Sequence, residues 1–126
     1  PTTMLLGDTS ALFDLNSLAL LRSLNSPFVL IIINNDGGNI FHMLPVPEHN
    51  QIREHFYQLP HGLNFQASAE QFQLAYAAPT DATSSQHYYQ QALTRHSTTI
   101  LECKVAVGEA ANWLKRLAQH VRDLPA

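Results

Sequence analysis

The segment FVLIIINNDGG, residues 28–38, changes abruptly from apolar to polar. Residues 28–33 are all apolar and mostly β-branched, and the run is too short for a typical helix. A strand that is apolar on both faces is typical of the interior of a parallel sheet with helices on each side. The polar residues that follow, from Asn34 to Gly38, predict a tight loop at the carboxyl end of this strand.

A second strand and a helix are predicted before this segment. Residues 2–6 read as a short strand that ends at Gly7 and Asp8. From Thr9 or Ser10, either of which could cap the helix, to residue 25, apolar residues recur every three or four positions. This spacing predicts one amphipathic helix. A strand, a helix and a strand within about thirty residues form a β-α-β unit with a right-handed crossover.

The remaining residues continue the alternation of strands and helices. Residues 34–50 read as a loop that carries unexpected apolar residues, and further strands are predicted near residues 76–78 and 98–105. Helices are predicted at residues 51–57, at 67–74, from 81 or 83 to about 95, and at 109–122. Such alternation predicts an α/β fold with an open, mostly parallel, doubly wound sheet, and the length of 126 residues predicts one domain.

The composition excludes several classes of function. The net charge is −3, which argues against nucleic-acid binding driven by counterion release. The single cysteine, Cys103, cannot form an internal disulfide. The longest apolar run, residues 28–33, is far below the roughly 20 residues that cross a bilayer. We therefore expect a soluble, cytoplasmic protein, and because a strand begins almost directly after Pro1, we expect a piece of a longer polypeptide.

Two polar sites should meet at one edge of the sheet. Asp8 follows the first strand, and the Asn34–Gly38 loop follows the second. In open α/β sheets, ligands bind at the carboxyl ends of the strands. The helix that begins after Asp8 directs free backbone N–H groups and its positive end toward the same edge, which favours an anion there.

A carboxylate beside an anion site requires a cation. A helix terminus stabilises an anion by only about 0.3–1 kcal/mol, whereas two unit charges 4 Å apart interact by about 4 kcal/mol at an effective dielectric constant of 20. Mg²⁺ suits this position because it prefers oxygen ligands and commonly binds one or two side chains together with ligand phosphates. The Asp8 carboxylate, the Asn35 amide oxygen and the Gly37 carbonyl are candidate ligands, which predicts a metal–diphosphate site.

The spacing of these residues resembles a known signature. Gly7-Asp8, followed 26 residues after Asp8 by Asn34-Asn35, resembles the motif of thiamine-diphosphate-dependent enzymes. Most of those enzymes have Gly-Asp-Gly at this point, and in this chain Thr9 replaces the second glycine. The longer runs GDTSALFDLNSLALL (residues 7–21) and NNDGGNIFHMLP (residues 34–45) resemble one family, the 2-succinyl-5-enolpyruvyl-6-hydroxy-3-cyclohexene-1-carboxylate synthases of menaquinone biosynthesis. That family often has Asn at the position of Asp36.

The resemblance implies a transferase that uses thiamine diphosphate with Mg²⁺ or Mn²⁺. Such an enzyme decarboxylates 2-oxoglutarate and adds the product to isochorismate, and the cofactor carries the chemistry. Residues 1–126 would be the C-terminal diphosphate-binding domain, truncated at its N-terminus. The activating glutamate would lie on the N-terminal pyrimidine-binding domain of another subunit. The full-length protein would then be a homodimer or homotetramer, and this piece alone would contain no catalytic residue and be inactive.

The resemblance also implies roles for individual residues. The implied metal ligands are Asp8, Asn35 and the Gly37 carbonyl. The implied cofactor-binding residues are Gly7, Asp8, Thr9, Ser10, Ala11, Asn35 and Ile40. The implied substrate pocket is formed by Ile40, Phe41 and Leu44, which accounts for apolar residues in a loop.

Two other functions remain open from the sequence. One is a different thiamine-diphosphate-dependent 2-oxo acid enzyme, such as an acetohydroxyacid synthase. The other is a non-catalytic flavodoxin-like or receiver-like domain, although a receiver has an acidic cluster where this chain has one Asp and an Asn pair. His49, His55 and His61 have no metal-ligand spacing, so they are interpreted as solvated surface residues. Cys103 is interpreted as a small buried residue.

Overall fold

Four parallel strands form one open sheet in the computed structural model, which describes residues 1–43, 52 and 54–124. The strands are β1 (Thr2–Gly7), β2 (Phe28–Asn34), β3 (Ala75–Ala77) and β4 (Thr98–Lys104), in the spatial order β1-β2-β4-β3. Every pairing between neighbouring strands is parallel. The expected α/β fold with an open parallel sheet is confirmed.

Helices lie on both faces of this sheet. They are α1 (Asp8–Phe13), α2 (Leu18–Leu21), α3 (Gln66–Gln71), α4 (Ala82–Leu93) and α5 (Glu109–Arg122). Short 3₁₀ turns occupy Leu15–Ser17 and Asn39–Met43, and Glu54–Gln58 forms one π-helical turn. None of the helices in the described part of the chain combines the length and the apolar character needed to span a membrane.

The apolar run of β2 contributes to a core on each face of the sheet. Leu30 and Ile32 point to one face, where they pack with residues of α1, α2 and α3, namely Ala11, Leu18 and Ala69, and with Ile100 and Phe65. Val29 points to the opposite face and packs with Leu101 and with Ala92 of α4. Because its side chains are buried on both faces, β2 is the doubly covered strand that its sequence predicts.

The predicted helix from Thr9 or Ser10 to residue 25 is interrupted. The structure has α1, a 3₁₀ turn and α2, which ends at Leu21, and the residue before the first helix is Gly7. The break falls at Asp14, whose backbone leaves the helical region at φ −116° and ψ 31°. The Ser17 hydroxyl donates to Asp14 Oδ1 at 2.6 Å. Short polar side chains that bond locally in this way compete with the helix, so the apolar period alone overestimates its length.

The later elements follow the predictions more closely. Helix α5 has the predicted bounds, and α4 begins directly after Asp81, which accepts a hydrogen bond from the Ser84 backbone N–H at 2.7 Å. Helix α3 ends three residues before the predicted end, since Gln73 adopts a positive φ of 56°. Of the helix predicted at 51–57, only residue 52 and residues 54–57 lie in the described part, where Glu54–Gln58 is a π-helical turn.

Candidate cation and diphosphate site

The register of the sheet brings the two predicted polar sites together. Gly7 of β1 pairs with Ile33 of β2, so Asp8 and Asn34 follow paired positions at the same edge of the sheet. Helix α1 begins at Asp8, directly at this edge. The sequence therefore predicts the correct placement of Asp8 beside the loop that follows β2.

The Asp8 carboxylate is the centre of this edge. Its residue is only 2% exposed. Oδ1 accepts a hydrogen bond from the Thr9 backbone N–H at 2.6 Å. Oδ2 accepts from the backbone N–H groups of Asn35 at 3.1 Å and Gly37 at 2.9 Å. A side chain at the end of β1 thus holds the backbone of the loop after β2.

These hydrogen bonds keep the carboxylate ionised. Burial alone would raise the pKa of Asp8, because a charge is poorly solvated in the interior. The N–H groups of Gly37 and Thr9, followed by the His61 ring, outweigh burial and hold the pKa below its ordinary value. At neutral pH the site therefore presents a buried negative charge.

Gly37 has a conformation and a position that other residues cannot adopt. Its φ is +101°, and a Cβ atom added there would lie 2.3 Å from the Gln58 carbonyl oxygen and 2.9 Å from that of Leu59. Its N–H donates to Asp8, while its carbonyl accepts from the Asn39 N–H at 2.8 Å. The loop therefore lies directly against Gln58, the last residue of the π-helical turn, and against Leu59, which follows it.

His61 contacts Asp8, which corrects its interpretation as a solvated residue. Its side chain is 12% exposed, and Nε2 lies 3.2 Å from Asp8 Oδ2. The ring nitrogen Nδ1 accepts from the Leu63 backbone N–H at 3.0 Å. No spacing in the sequence could reveal this contact, since His61 is 53 residues from Asp8. Of the other two histidines, His55 is exposed, as expected, and His49 lies outside the described residues.

Asp36 holds the segment that carries His61. Its Oδ1 accepts hydrogen bonds from the backbone N–H groups of His61 at 2.9 Å and Gly62 at 2.7 Å. Asp36 itself has a positive φ of 62°, a conformation that Asp adopts more readily than most residues. Asp36 thus joins the loop after β2 to the segment that carries His61. Asp8, at the start of α1, contacts both the loop and His61.

A second buried carboxylate, Glu102 of β4, supports the site from inside the sheet. Glu102 is fully buried, and its Oε1 accepts from Asn34 Nδ2 at 2.8 Å. Its Oε2 accepts from the Phe65 N–H at 2.8 Å and from the Tyr76 hydroxyl at 2.7 Å. Asn34 Nδ2 also donates to the Leu63 carbonyl at 2.9 Å. Glu102 therefore connects the first Asn of the pair to the segment that follows His61.

The role of Glu102 was not predicted, although its position in the sequence gives a signal. Glu102 follows the apolar pair Ile100 and Leu101 and precedes Cys103 in a predicted strand, and a carboxylate buried at such a position requires hydrogen-bond donors. Its charge also affects its neighbours. Burial, and then the Glu102 carboxylate, raise the pKa of the Tyr76 hydroxyl and of the half-buried Cys103 thiol. Cys103 is only partly buried, so its interpretation as a small buried residue is correct only in part, and the raised pKa disfavours the reactive thiolate.

The residues expected to contact a cofactor and substrates are divided among several surfaces. Thr9 and Ser10 are exposed at the start of α1, Gly7 is exposed before them, and Ala11 is buried in the core. Phe41 lines a cavity of about 500 Å³ together with Thr9 and His61. Ile40 lines a different cavity of about 200 Å³ together with Asn35. Leu44 lies outside the described residues.

The oxygen donors at this edge fit a hard divalent cation. The donors are an ionised and buried carboxylate, the adjacent Asn35 and the Gly37 carbonyl, and Mg²⁺ prefers such oxygen ligands. The donors in the structure therefore suit the predicted ion. Within the described ranges, no cluster of three or more His, Cys, Asp or Glu side chains is placed to hold a metal.

Two relatives of this chain carry the same description. The chain is 48% identical over 128 residues to the 2-succinyl-5-enolpyruvyl-6-hydroxy-3-cyclohexene-1-carboxylate synthase of Aeromonas salmonicida, covering 98% of the chain and 22% of the relative. It is 47% identical over 123 residues to the synthase of Shewanella amazonensis, covering 98% of the chain and 21% of the relative. The chain thus spans about a fifth of the length of these relatives. Profiles of known protein families give no match.

Two solved structures with the same fold are described as decarboxylases, and one of them as thiamine diphosphate-dependent. A benzoylformate decarboxylase from Polynucleobacter necessarius superposes with a TM-score of 0.68 at 16% identity, over 84% of this chain and 20% of that chain. A thiamine diphosphate-dependent 4-hydroxybenzoylformate decarboxylase from Rhodococcus jostii gives a TM-score of 0.64 at 22% identity, over 82% and 19%. The resemblance to the synthases and the predicted fold are both confirmed.

Proposed function

We propose that residues 1–126 are the C-terminal diphosphate-binding domain of a thiamine-diphosphate-dependent synthase of menaquinone biosynthesis. The similarity to the synthases extends over 98% of the chain. The observation that carries the proposal is the contact between the ionised Asp8 and the backbone of Asn35 and Gly37. This contact unites both halves of the motif at one edge of the sheet.

In this proposal the chain holds a divalent cation and the diphosphate of the cofactor. The Asp8 carboxylate, the Asn35 side chain and the Gly37 carbonyl are the protein ligands of Mg²⁺ or Mn²⁺. The start of α1 would hold the diphosphate through Gly7, Thr9, Ser10 and the backbone of Ala11. A bound cation would offset the repulsion between the phosphates and the Asp8 carboxylate, whose lowered pKa keeps it charged.

The chemistry at carbon belongs to the cofactor, which supplies the nucleophile that attacks a 2-oxo acid and permits the loss of CO₂. The residues of this chain bind and orient. Phe41 lies in a cavity of about 500 Å³, a volume typical of small-molecule sites, and would exclude water from the substrates. Ile40, beside Asn35, would contact the cofactor, and Leu44 would complete the pocket.

The substrates proposed are 2-oxoglutarate and isochorismate, which the full-length transferase would join with decarboxylation. The activating glutamate would come from the pyrimidine-binding domain of another subunit, so the working form would be a homodimer or homotetramer in the cytoplasm. These statements rest on the similarity to the named synthases, of which this chain covers about a fifth.

Calorimetric titration of the full-length protein with thiamine diphosphate and Mg²⁺ tests the proposal. Asp8→Ala and Asn35→Ala should each weaken cofactor binding by about 100-fold or more, because loss of groups behind the ligands already costs 10–100-fold. Substrate affinity should change far less. Asp123→Ala, at an exposed carboxylate after α5, is the matched control and should bind as the unaltered protein does. Unchanged cofactor affinity in both site variants would show that the ligand assignment is wrong.

A substrate assay separates the proposal from another enzyme on the same cofactor. We expect turnover with 2-oxoglutarate and isochorismate and little with pyruvate. Preferential use of pyruvate would instead indicate an acetohydroxyacid synthase-like enzyme. If the protein binds no thiamine diphosphate in the presence of Mg²⁺, the result would favour the alternative function, a non-catalytic flavodoxin-like or receiver-like domain.

A further inference from the structure

We infer that His61 is a positioning residue of the metal site, which orients the Asp8 carboxylate by donating from Nε2 to Oδ2 and leaves Oδ1 for the cation. The inference rests on the proposed function and extends it to a residue outside the motif. The first observation is location: the His61 side chain is 12% exposed and its Nε2 lies 3.2 Å from Oδ2.

The protonated nitrogen of the His61 ring is identified by its neighbours. Nδ1 accepts a hydrogen bond from the Leu63 backbone N–H at 3.0 Å, so it cannot carry a proton in this arrangement. Nε2 is therefore the nitrogen that bears hydrogen and it donates to Asp8. A protonated Nε2 has no free electron pair for a metal, so His61 acts through the carboxylate and is not itself a ligand.

Three further hydrogen bonds hold His61 in place. Asp36 Oδ1 accepts from the backbone N–H groups of His61 and Gly62, at 2.9 and 2.7 Å. Asn34 Nδ2 donates to the Leu63 carbonyl at 2.9 Å. Asn34 and Asp36, on either side of Asn35, thus anchor the backbone of residues 61–63, and the imidazole is held relative to the loop.

The two oxygens of Asp8 are consequently in different environments. Oδ2 accepts from three donors, the N–H groups of Asn35 and Gly37 and the ring of His61. Among the residues that the structure describes, Oδ1 accepts only from Thr9, through its N–H at 2.6 Å and a longer hydroxyl contact at 3.3 Å. A carboxylate oxygen has about two lone-pair sites. Oδ2 is therefore saturated, whereas Oδ1 becomes available when the Thr9 hydroxyl rotates.

The test measures the affinity of the full-length protein for thiamine diphosphate at fixed Mg²⁺ by calorimetry, which does not depend on turnover. His61→Leu should weaken binding 10- to 100-fold, the usual effect of removing a group that orients a metal ligand. His61→Gln should restore most of the affinity, because its terminal amide N–H can reach Oδ2. His61→Asn, which carries the same amide on a shorter side chain, should not.

Control variants separate positioning from folding and from the proposed function. His96→Leu, at an exposed histidine before β4, should bind like the unaltered protein, and thermal melting checks that every variant is folded. Equal affinity of His61→Leu and the unaltered protein, with binding lost in Asp8→Ala, would overturn the inference and leave the proposed function intact. Equal weakening in the Gln, Asn and Leu variants would also overturn it. Failure of the unaltered protein to bind the cofactor would overturn the proposed function, and the inference with it.

Discussion

At the scale of single residues, the Asp8 carboxylate joins parts of the chain that are distant in sequence. It contacts the loop 27 residues later through Asn35 and the ring of His61 53 residues later. Each partner is a hydrogen-bond donor, so the carboxylate can remain charged although it is buried. The same property that stabilises the charge makes Asp8 suitable for a cation.

The buried Glu102 carboxylate should contribute to the folding stability of the chain. Glu102→Gln should lower the free energy of unfolding by about 1–3 kcal/mol, because the new amide N–H₂ must face groups that themselves donate, and a buried unsatisfied polar group costs that amount. Equilibrium urea unfolding of the chain measures the change. Glu109→Gln, at an exposed residue of α5, should change stability by less than about 0.5 kcal/mol. Equal stabilities for the two variants would show that the buried carboxylate is not the acceptor that the structure describes.

Part of the site could be predicted from the sequence, and the rest could not, for a physical reason. Asp8 and the Asn pair each end a strand, and the ends of adjacent parallel strands must meet, so their proximity follows from local patterns. His61 lies in a segment with no periodic pattern, and its position depends on bonds to Asp36 and Asn34. Only tertiary structure reveals such a contact.

At the scale of elements, the loop after β2 is shaped by what packs against it. Gly37 lies against the backbone of Gln58 and Leu59, and its φ of +101° is a conformation that residues other than Gly rarely adopt. This loop therefore depends on the π-helical turn Glu54–Gln58 as much as on its own turn residues.

Two glycine substitutions test this dependence. Gly37→Ala should destabilise the chain by at least about 1–3 kcal/mol, since a non-glycine residue is strained at this φ and its Cβ would also clash with backbone. Gly7→Ala should leave stability unchanged or slightly raised, because Gly7 has φ −79° and no atom within 4 Å of the added Cβ. Thermal melting of both variants gives the comparison. A Gly37 variant as stable as the Gly7 variant would contradict the described loop.

The spacing of apolar residues predicts the length of helix α5 correctly but not that of the helix between β1 and β2. Helix α5 has the predicted bounds, and its local side-chain bond, from Gln119 to Asp123, joins residues one helical turn apart and so is compatible with the helix. In the first crossover the same kind of period continues through Asp14, where the Ser17 contact interrupts the helix. Periodicity identifies the buried face, whereas the ends and breaks of helices depend on short polar side chains.

At the scale of the whole molecule, the chain forms one open parallel sheet with the candidate site at one edge, and it spans about a fifth of the length of its relatives. The fold class was predictable because strands and helices alternate and β2 is apolar on both faces. Under the proposed function, full activity would require more than this edge, since the resemblance implies that the activating glutamate lies on another domain.

The corresponding prediction concerns the isolated chain. Residues 1–126 alone, supplied with thiamine diphosphate and Mg²⁺, should release no CO₂ from 2-oxoglutarate above the rate of cofactor in buffer. The full-length protein, assayed in parallel, should release it when isochorismate is present. Measurable decarboxylation by the isolated chain would show that the residues needed for activation lie within it.

The bonds from Asn35 and Gly37 to Asp8 have a consequence for how the molecule opens. Their amide protons are directed at the Asp8 carboxylate at the start of α1, so each is protected from exchange with deuterium until its bond to Asp8 opens. Their hydrogen–deuterium exchange rates would therefore report how often this edge of the sheet opens locally. Slower exchange on loading with an ion would reveal occupancy even when no reaction proceeds.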